Sequence, residues 1–524
     1  MSIPSVPYLD LLAPEVWLDC WTPCSARQLR QLSLVCHLFR TLCLPLLFRH
    51  QSFDAGQIWS PVDKDGWGNR LDYMERTAVR LERLPEGPHA LWVRSWRFSA
   101  AAEATPHTRL LLNIQNRKHL VLLEKLYERV IATFASTLGL YHNLRSLHLL
   151  GVTIDVHTRN TLLSLSNLES LTLACDITAR AGNLMKLKSF MISVTPGASR
   201  WATAVTTEPL RLVSAEHLQS LNIDRRGEMV SLLTGFQPRK FPQLISISLG
   251  FLSDEEIGID LFFEFLQRCP QLESLAIHYV YLTSNDPLPS RIHPNTIPRL
   301  GNLTVPPLLI DVFTANRPVG TVSVKRSYPY DHVAIPLEEA GEYLALLFAD
   351  LSHASVPLQF LSLPSISPTP ECFAAIVSAC PHLTTLLIDV TQLATWPPPR
   401  GEIDCPEEEI SDTEEGMPRA SPVDSSSSAA QYEILNTVLK WIREKSILLP
   451  RNLEVLGINL DSGIRPWISG EEEAQTRASL IGLWPRLREV RIGPRITSGN
   501  SPVLGGKSEG LGNILGDADT DCVH

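Results

Sequence analysis

Ten phrases between Leu144 and Ile492 stand out, each a leucine followed three and five positions later by two more apolar residues. Clear copies are Leu144-Arg145-Ser146-Leu147-His148-Leu149, Leu168-Glu169-Ser170-Leu171-Thr172-Leu173 and Leu272-Glu273-Ser274-Leu275-Ala276-Ile277; the others begin at Leu187, Leu218, Leu244, Leu358, Leu383, Leu453 and Leu487. The second half of each phrase alternates apolar with polar, as a strand burying one face does. Segments able to form helices precede the phrases, as Leu261 to Arg268 precedes Leu272. One strand and one helix cannot bury their own apolar faces, so such units must stack on neighbours. The pattern predicts an α/β repeat architecture, a class that mostly binds proteins and rarely catalyses.

The spacing refines this. Successive phrases start 24, 19, 31, 26 and 28 residues apart, then 86, 25, 70 and 34. The short steps match leucine-rich repeats of the long, helix-backed type, with a helix expected in every unit. The two long gaps imply insertions or degraded units. An earlier unit is expected around Leu91 to Phe98, followed by a helix from about Lys118 to Leu138. Cys269-Pro270 and Cys380-Pro381 are expected to close two helices, proline stopping each and cysteine packing beneath it.

In six consecutive phrases the third residue is serine: Ser146, Ser170, Ser189, Ser220, Ser246 and Ser274. Alternation places this position opposite the buried leucines, on the concave face of the expected solenoid. Beside it come His148, Thr172, Met191, Asn222, Ser248 and Ala276. The functional reading is a hydrogen-bonding floor for a bulky partner, with Ser146, His148, Ser170, Thr172, Ser189, Ser220, Asn222, Ser246 and Ser274 as candidate target contacts. The plainer reading is a short side chain suited to a hydrated, curved face. No ligand class follows from these residues.

Before the repeats, Pro14 to Leu18 opens a short helix and Ser25-Ala26-Arg27-Gln28 has capping-box spacing. Leu29, Leu32, Cys36, Phe39 and Cys43 follow as one helical stripe, and Pro45 suits the first turn of a third helix. Three short helices make a very small core that leaves apolar surface to share.

Composition changes little until the charge is located. The chain of 524 residues is 44% hydrophobic, with no apolar run long enough for a membrane span. Its first residues lack the basic and apolar regions of a signal peptide. Ten cysteines without paired spacing suit reduced thiols, so a cytoplasmic or nuclear setting is expected and Asn302-Leu303-Thr304 is read as a chance sequon. The net charge is −10, but Gly401 to Gly416 holds eight acids and no Lys or Arg, leaving about −2 elsewhere. Neither nucleic acid nor a membrane is therefore an expected partner. The stretch 396–430 is acidic and ends in Ser425 to Ser428; it reads as a disordered insertion, as does the Gly- and Ser-rich tail 495–524. Deleting Gly401 to Ala430 is expected to leave the melting temperature within a degree or so of wild type, because few of these residues can enter a core.

The chemistry searched for is sparse. Cys20, Cys24, Cys36 and Cys43 lack paired zinc-knuckle spacing, so core packing is preferred over metal. Gly506-Lys507-Ser508 ends like a phosphate-binding loop, but Ser501 stands where glycine is needed. Asp63-Lys64-Asp65-Gly66 has Pro61 at the first calcium-ligand position. No nucleophile with an evident base is found, and no catalytic residue, metal or cofactor is expected.

The stretch Leu12 to Trp17, then Leu29, then Leu32-Ser33-Leu34-Val35-Cys36-His37-Leu38-Phe39-Arg40 resembles an F-box in order and spacing. The resemblance implies docking on the Skp-type adaptor of a cullin-RING ubiquitin ligase. Carried over by position, Pro14, Glu15, Val16, Leu29, Leu32, Val35 and Cys36 would meet the adaptor. Ala13, Gln28 and Pro23-Cys24 depart from the motif. An F-box followed by irregular leucine-rich repeats is similar to the large F-box families of mushroom-forming fungi, as is the stretch from Pro298 through Val305-Pro306-Pro307 to Arg317-Pro318-Val319.

The expected organisation is therefore an F-box at 8–53, a linker at 54–90 and an irregular leucine-rich-repeat solenoid at 91–494, with parallel strands on the concave face and helices outside. The expected function is a non-catalytic substrate receptor of an SCF-type ligase, binding the adaptor and its cullin through the helices and a target protein through the repeats. Two alternatives stand beside it: a scaffold not engaged with a ligase, and a hydrolase hidden between Ile277 and Leu358.

Overall fold

The computed structural model describes residues 12–55, 67–100, 117–175, 183–193, 212–224, 240–250, 252–253, 259–281, 293–325, 337–364, 369–390, 437–442, 444, 446–460 and 478–494. The acidic insertion, the tail, the Asp63 loop and the Gly506 motif lie outside them. The chain divides into two compact units, the first reaching Pro238 and the second beginning at Arg239.

The first unit opens with α1 (Pro14–Trp21), α2 (Ala26–Ser33) and α3 (His37–Arg49), then β1 (His50–Asp54), α4 (Trp67–Arg83), β2 (Ser95–Ser99), α5 (Arg117–Thr137), β3 (Ser146–Leu150), α6 (Val156–Ser164), β4 (Ser170–Ala174), β5 (Ser189–Ile192) and β6 (Ser220–Ile223). All six strands pair in parallel and in chain order. The second unit carries β7 (Ser246–Leu249), β8 (Leu252–Ser253), α7 (Ile259–Leu266), β9 (Ser274–Ile277), β10 (Val280–Tyr281), β11 (Asn302–Val305), α8 (Ile310–Thr314), β12 (Thr321–Val324), α9 (Leu337–Leu351), β13 (Phe360–Leu363), α10 (Pro370–Ala379), β14 (Thr385–Val390), β15 (Val455–Leu460) and β16 (Glu489–Pro494). There β7, β9 and β11 to β16 form a parallel sheet, while β8 and β10 pair separately. Every one of the ten phrases becomes a strand.

One backbone device repeats at each step. The carbonyl of Arg94 accepts from the N–H groups of Arg145 (2.8 Å) and Ser146 (3.0 Å); that of Arg145 accepts from Glu169 (2.8 Å) and Ser170 (2.9 Å). The same fork joins Glu169 to Lys188 and Ser189, and Lys188 to Gln219 and Ser220. The leading leucine of each phrase is buried on one side of this fork and the serine begins the strand on the other.

Several boundaries differ from the expectation. Residues 54–90 are not a simple linker: α4 packs on α5, burying Met74, Ala78 and Leu81 against a core that holds Leu123, Val130 and Phe134. Helix α3 runs directly into β1, which pairs with β2, so the helical module is joined to the sheet without an intervening loop. The stripe from Leu29 to Cys43 is broken at Leu34–Cys36, where Cys36 Sγ accepts from Phe39 N (3.4 Å) and starts a new helix. Pro45 lies inside α3 rather than in its first turn. Among the described residues the steps into β5 and β6 carry no α-helix, and a parallel bridge joins Met185 to Val213 instead. Asn302-Leu303-Thr304 is part of strand β11, with Leu303 buried.

Cys269 is fully buried just beyond α7, and Cys380 caps α10. Burial pushes the Cys269 thiol well up and takes that of Cys380 to about 11, so both stay protonated near neutral pH and act as packing groups.

The least expected core residue is Arg317, with no solvent exposure. Its Nη1 donates to the carbonyl of Val312 (3.0 Å) near the end of α8, and its Nη2 to that of His293 (3.1 Å). Burial lowers its pKa to about 10, which leaves it charged at neutral pH. Asn316 just before it has φ 57°, the left-handed conformation that ends a helix. Replacing Arg317 with alanine strands those carbonyls and opens a cavity, so the second unit should lose about 3 kcal/mol or more. Denaturant titration of the variant against wild type checks this; an unchanged midpoint would refute it.

Candidate protein-interaction surfaces

In the helical module, Pro14 occupies the first turn of α1, where its missing N–H costs nothing, and Glu15 favours the positive helix end. Trp17 and Trp21 turn inward onto Phe39, with ring centroids 5.4 and 4.6 Å from it. Around them Leu29, Leu42 and Cys43 complete a small buried cluster. Gln28, a departure from the F-box pattern, closes the capping box of α2. Its Oε1 accepts from Ser25 N (2.8 Å) and its own N–H donates to Ser25 Oγ (3.3 Å).

This core leaves large aliphatic groups in water. Leu34 is 74% exposed and Val35 65%, in the turn between α2 and α3; Leu12 and Val16, before and within α1, are 42% each. Four such side chains on a module this small make it a candidate interaction surface. Of the residues expected at an adaptor contact, Pro14, Glu15, Val16 and Val35 are exposed. Leu29 is not available: it is 5% exposed inside the cluster. Leu32 is half-buried against the same cluster, and Cys36 is occupied as a helix cap. Leu34 lies outside the set that the F-box resemblance carries over, and the break between α2 and α3 is what exposes it.

The second surface is the open face of the sheet. Ser146, Ser170, Ser189 and Ser220 stand in register on successive strands, and Ser95 extends the row onto β2. Ser246 and Ser274 are likewise in register in the second unit, where the row continues as Asn302 and Thr321. All six expected serines are half-exposed. In the neighbouring row His148, Thr172, Met191 and Asn222 are aligned. His148 and Asn222 are half-exposed, but Thr172 is 7% exposed and offers a partner almost nothing. Burial first, and then the nearby Arg97, lower the pKa of His148, so it is neutral at pH 7. Arg97 pairs with His148 in register and is exposed. Its phrase starts at Val93 rather than Leu91, which aligns Ser95 with the serines and Arg97 with His148.

Asp311, Asp350 and His353 also gather, their ligand atoms within 4.8 Å of one another. His353 Nδ1 lies 2.9 Å from Asp311 Oδ1, a hydrogen bond between α8 and the residues just past α9. Thr314 Oγ1 donates to the Asp350 carbonyl (3.0 Å) at the same junction, so the group fastens two helices.

Among the described residues, no helix is long and apolar enough to cross a membrane. No protein-family model matches the chain, and no curated protein matches it.

Proposed function

We propose that this chain is the substrate receptor of an SCF-type cullin-RING ubiquitin ligase, its helical module docking on a Skp-type adaptor and its strand face holding a target protein. The observation that carries the proposal is the set of aliphatic side chains Leu12, Val16, Leu34 and Val35, exposed on a three-helix module whose sequence resembles an F-box. Apolar groups held in water by a rigid core suit a protein partner, since burying them on binding releases the hydration cost. The fusion of α3 to β1 supports the same reading, because a receptor must hold its target at a fixed distance from the ligase. On this reading the chain contributes no catalytic group; ubiquitin transfer belongs to other subunits.

The scaffold alternative draws on Leu29, Leu32 and Cys36, which are committed to the module's own packing and cannot strengthen a contact. Co-purification separates the two. A receptor brings down both an adaptor and a cullin from cells. A scaffold brings down neither while still retaining partners on its repeats.

A further inference from the structure

Four arginines gather at one end of the first unit's sheet. Arg49, Arg94 and Arg145 hold the residue before the strand on β1, β2 and β3, and the backbone joins them directly: Arg94 N donates to Arg49 O (2.9 Å) and Arg145 N to Arg94 O (2.8 Å). Arg97 lies three residues beyond Arg94, on the exposed row beside His148. Adjacent strands are about 4.8 Å apart, so like charges are lined up at close spacing. Compensation is missing. Among the described residues none of the four pairs with a carboxylate, and Arg94 Nη1 donates to the carbonyl of Asn143 (3.3 Å). One strand further on the pattern changes, because Glu169 pairs with Lys188 (3.2 Å). Arg49, Arg97 and Arg145 are exposed and Arg94 half-exposed, so their guanidinium groups are open to an anionic partner.

We infer that the β1–β3 end of the sheet face binds an extended peptide rich in aspartate and glutamate, presented by the target protein. This rests on the proposed role of that face as the target-holding surface and gives the target a chemistry. Arg49, Arg94 and Arg145 are spread along a row, one strand apart, as carboxylates are spread along an extended chain, and Arg97 stands beside that row on β2. The serine row beside them, from Ser95 to Ser170, adds hydroxyl groups without bulk, so a peptide can lie close to the sheet. Nucleic acid fits less well. The charge is confined to three strands, and the exposed rows of β2 to β6 hold Ser, Arg, His, Thr, Met and Asn, with no Phe, Tyr or Trp to build a platform on which successive bases stack.

The experiment is fluorescence anisotropy with the full chain and a labelled oligo-glutamate peptide, an oligo-glutamine peptide of equal length serving as control. The expected result is saturable binding of oligo-glutamate alone, weakening about tenfold as salt rises from low to physiological strength. Arg97→Gln combined with Arg145→Gln should reduce affinity at least tenfold; Lys125→Gln, a charge loss on exposed α5, should leave it unchanged. Circular dichroism verifies that both variants fold. Absence of oligo-glutamate binding at low salt, or equal loss in Lys125→Gln, overturns the inference. So does tighter binding of a phosphoserine peptide or a single-stranded RNA of the same charge. An adaptor pull-down with the same double variant keeps the two readings apart: peptide binding without adaptor binding removes only the ligase reading, and the reverse removes only this one.

Discussion

Replacing Leu34 and Val35 together with aspartate should abolish capture of a Skp-type adaptor while leaving the chain folded. Both side chains stand mostly in water, at 74% and 65% exposure, so the free protein loses almost no packing and its stability should move by no more than about 0.5 kcal/mol. In a complex the same positions are buried, and a carboxylate buried without a partner costs several kcal/mol. Two such groups remove most of the roughly 8–12 kcal/mol that holds a micromolar-to-nanomolar complex together. Leu32 is the wrong partner for this double variant, although it precedes Val35 by one helical turn. It packs against Trp21, Leu29, Leu42 and Cys43, so a charge there would unfold the module and the loss of binding would prove nothing about the surface. The measurements are an adaptor pull-down and a far-ultraviolet circular dichroism spectrum. Target binding through the sheet should persist, making the variant a trap that shields its target from ubiquitination. If the double variant still brings down the adaptor, or the wild type never does, the ligase proposal is wrong and the scaffold reading replaces it.

The ease with which parts of this fold are read from sequence follows from how each residue is buried. A strand that hides one face must alternate, and the fork at its start demands an apolar residue two positions before the serine, so Leu144, Leu168 or Leu272 announces the unit. Where another residue does the same work the signal fades. Val93 and Val319 lead β2 and β12 in place of leucine, and both are fully buried. Leu300 leads β11, but Gly301 and Asn302 punctuate the phrase as if it were a turn. The 86-residue gap therefore holds two units rather than an insertion, with steps of 28, 19 and 39 residues. On β1 the inward position is Gln51, a polar group at 3% exposure, which no apolar pattern could reveal. Its Nε2 donates to the Phe48 carbonyl (2.9 Å) and its Oε1 accepts from Arg80 of α4, a residue distant in sequence. The candidate surfaces follow the same logic. The serine row was legible because it rides on the alternation. Exposure of Leu34 and Val35 was not, because it depends on the break between α2 and α3. The arginine row needed the register of β1 and β2, the two strands whose leading residues hide them.

That hidden end of the sheet is also where a single core substitution should cost most. Phe98 of β2 has no exposure and stacks on Phe134 of α5, with ring centroids 3.9 Å apart and planes 13° from parallel; Phe53 of β1 lies 4.9 Å away. Phe98→Ala should destabilise the first unit by about 3–5 kcal/mol, since the removed ring leaves a cavity between a strand and a helix that cannot close on it. For a unit of this size that corresponds to a melting temperature lower by roughly 10 °C. Phe98→Leu, which refills most of the space, should lose less than half as much. The consequence reaches beyond packing. β2 is paired with both β1 and β3, and β1 continues directly from α3, so loosening this core disturbs the arginine row and the junction that carries the helical module. Arg317→Ala provides the contrast, because it acts on the second unit. Scanning calorimetry of both variants, with peptide and adaptor binding measured at a temperature where wild type is fully folded, tests the argument. Phe98→Ala should weaken oligo-glutamate binding as the first transition approaches that temperature, and Arg317→Ala should not. A Phe98→Ala protein that melts within about 2 °C of wild type would show that the aromatic stack is not the core of this unit.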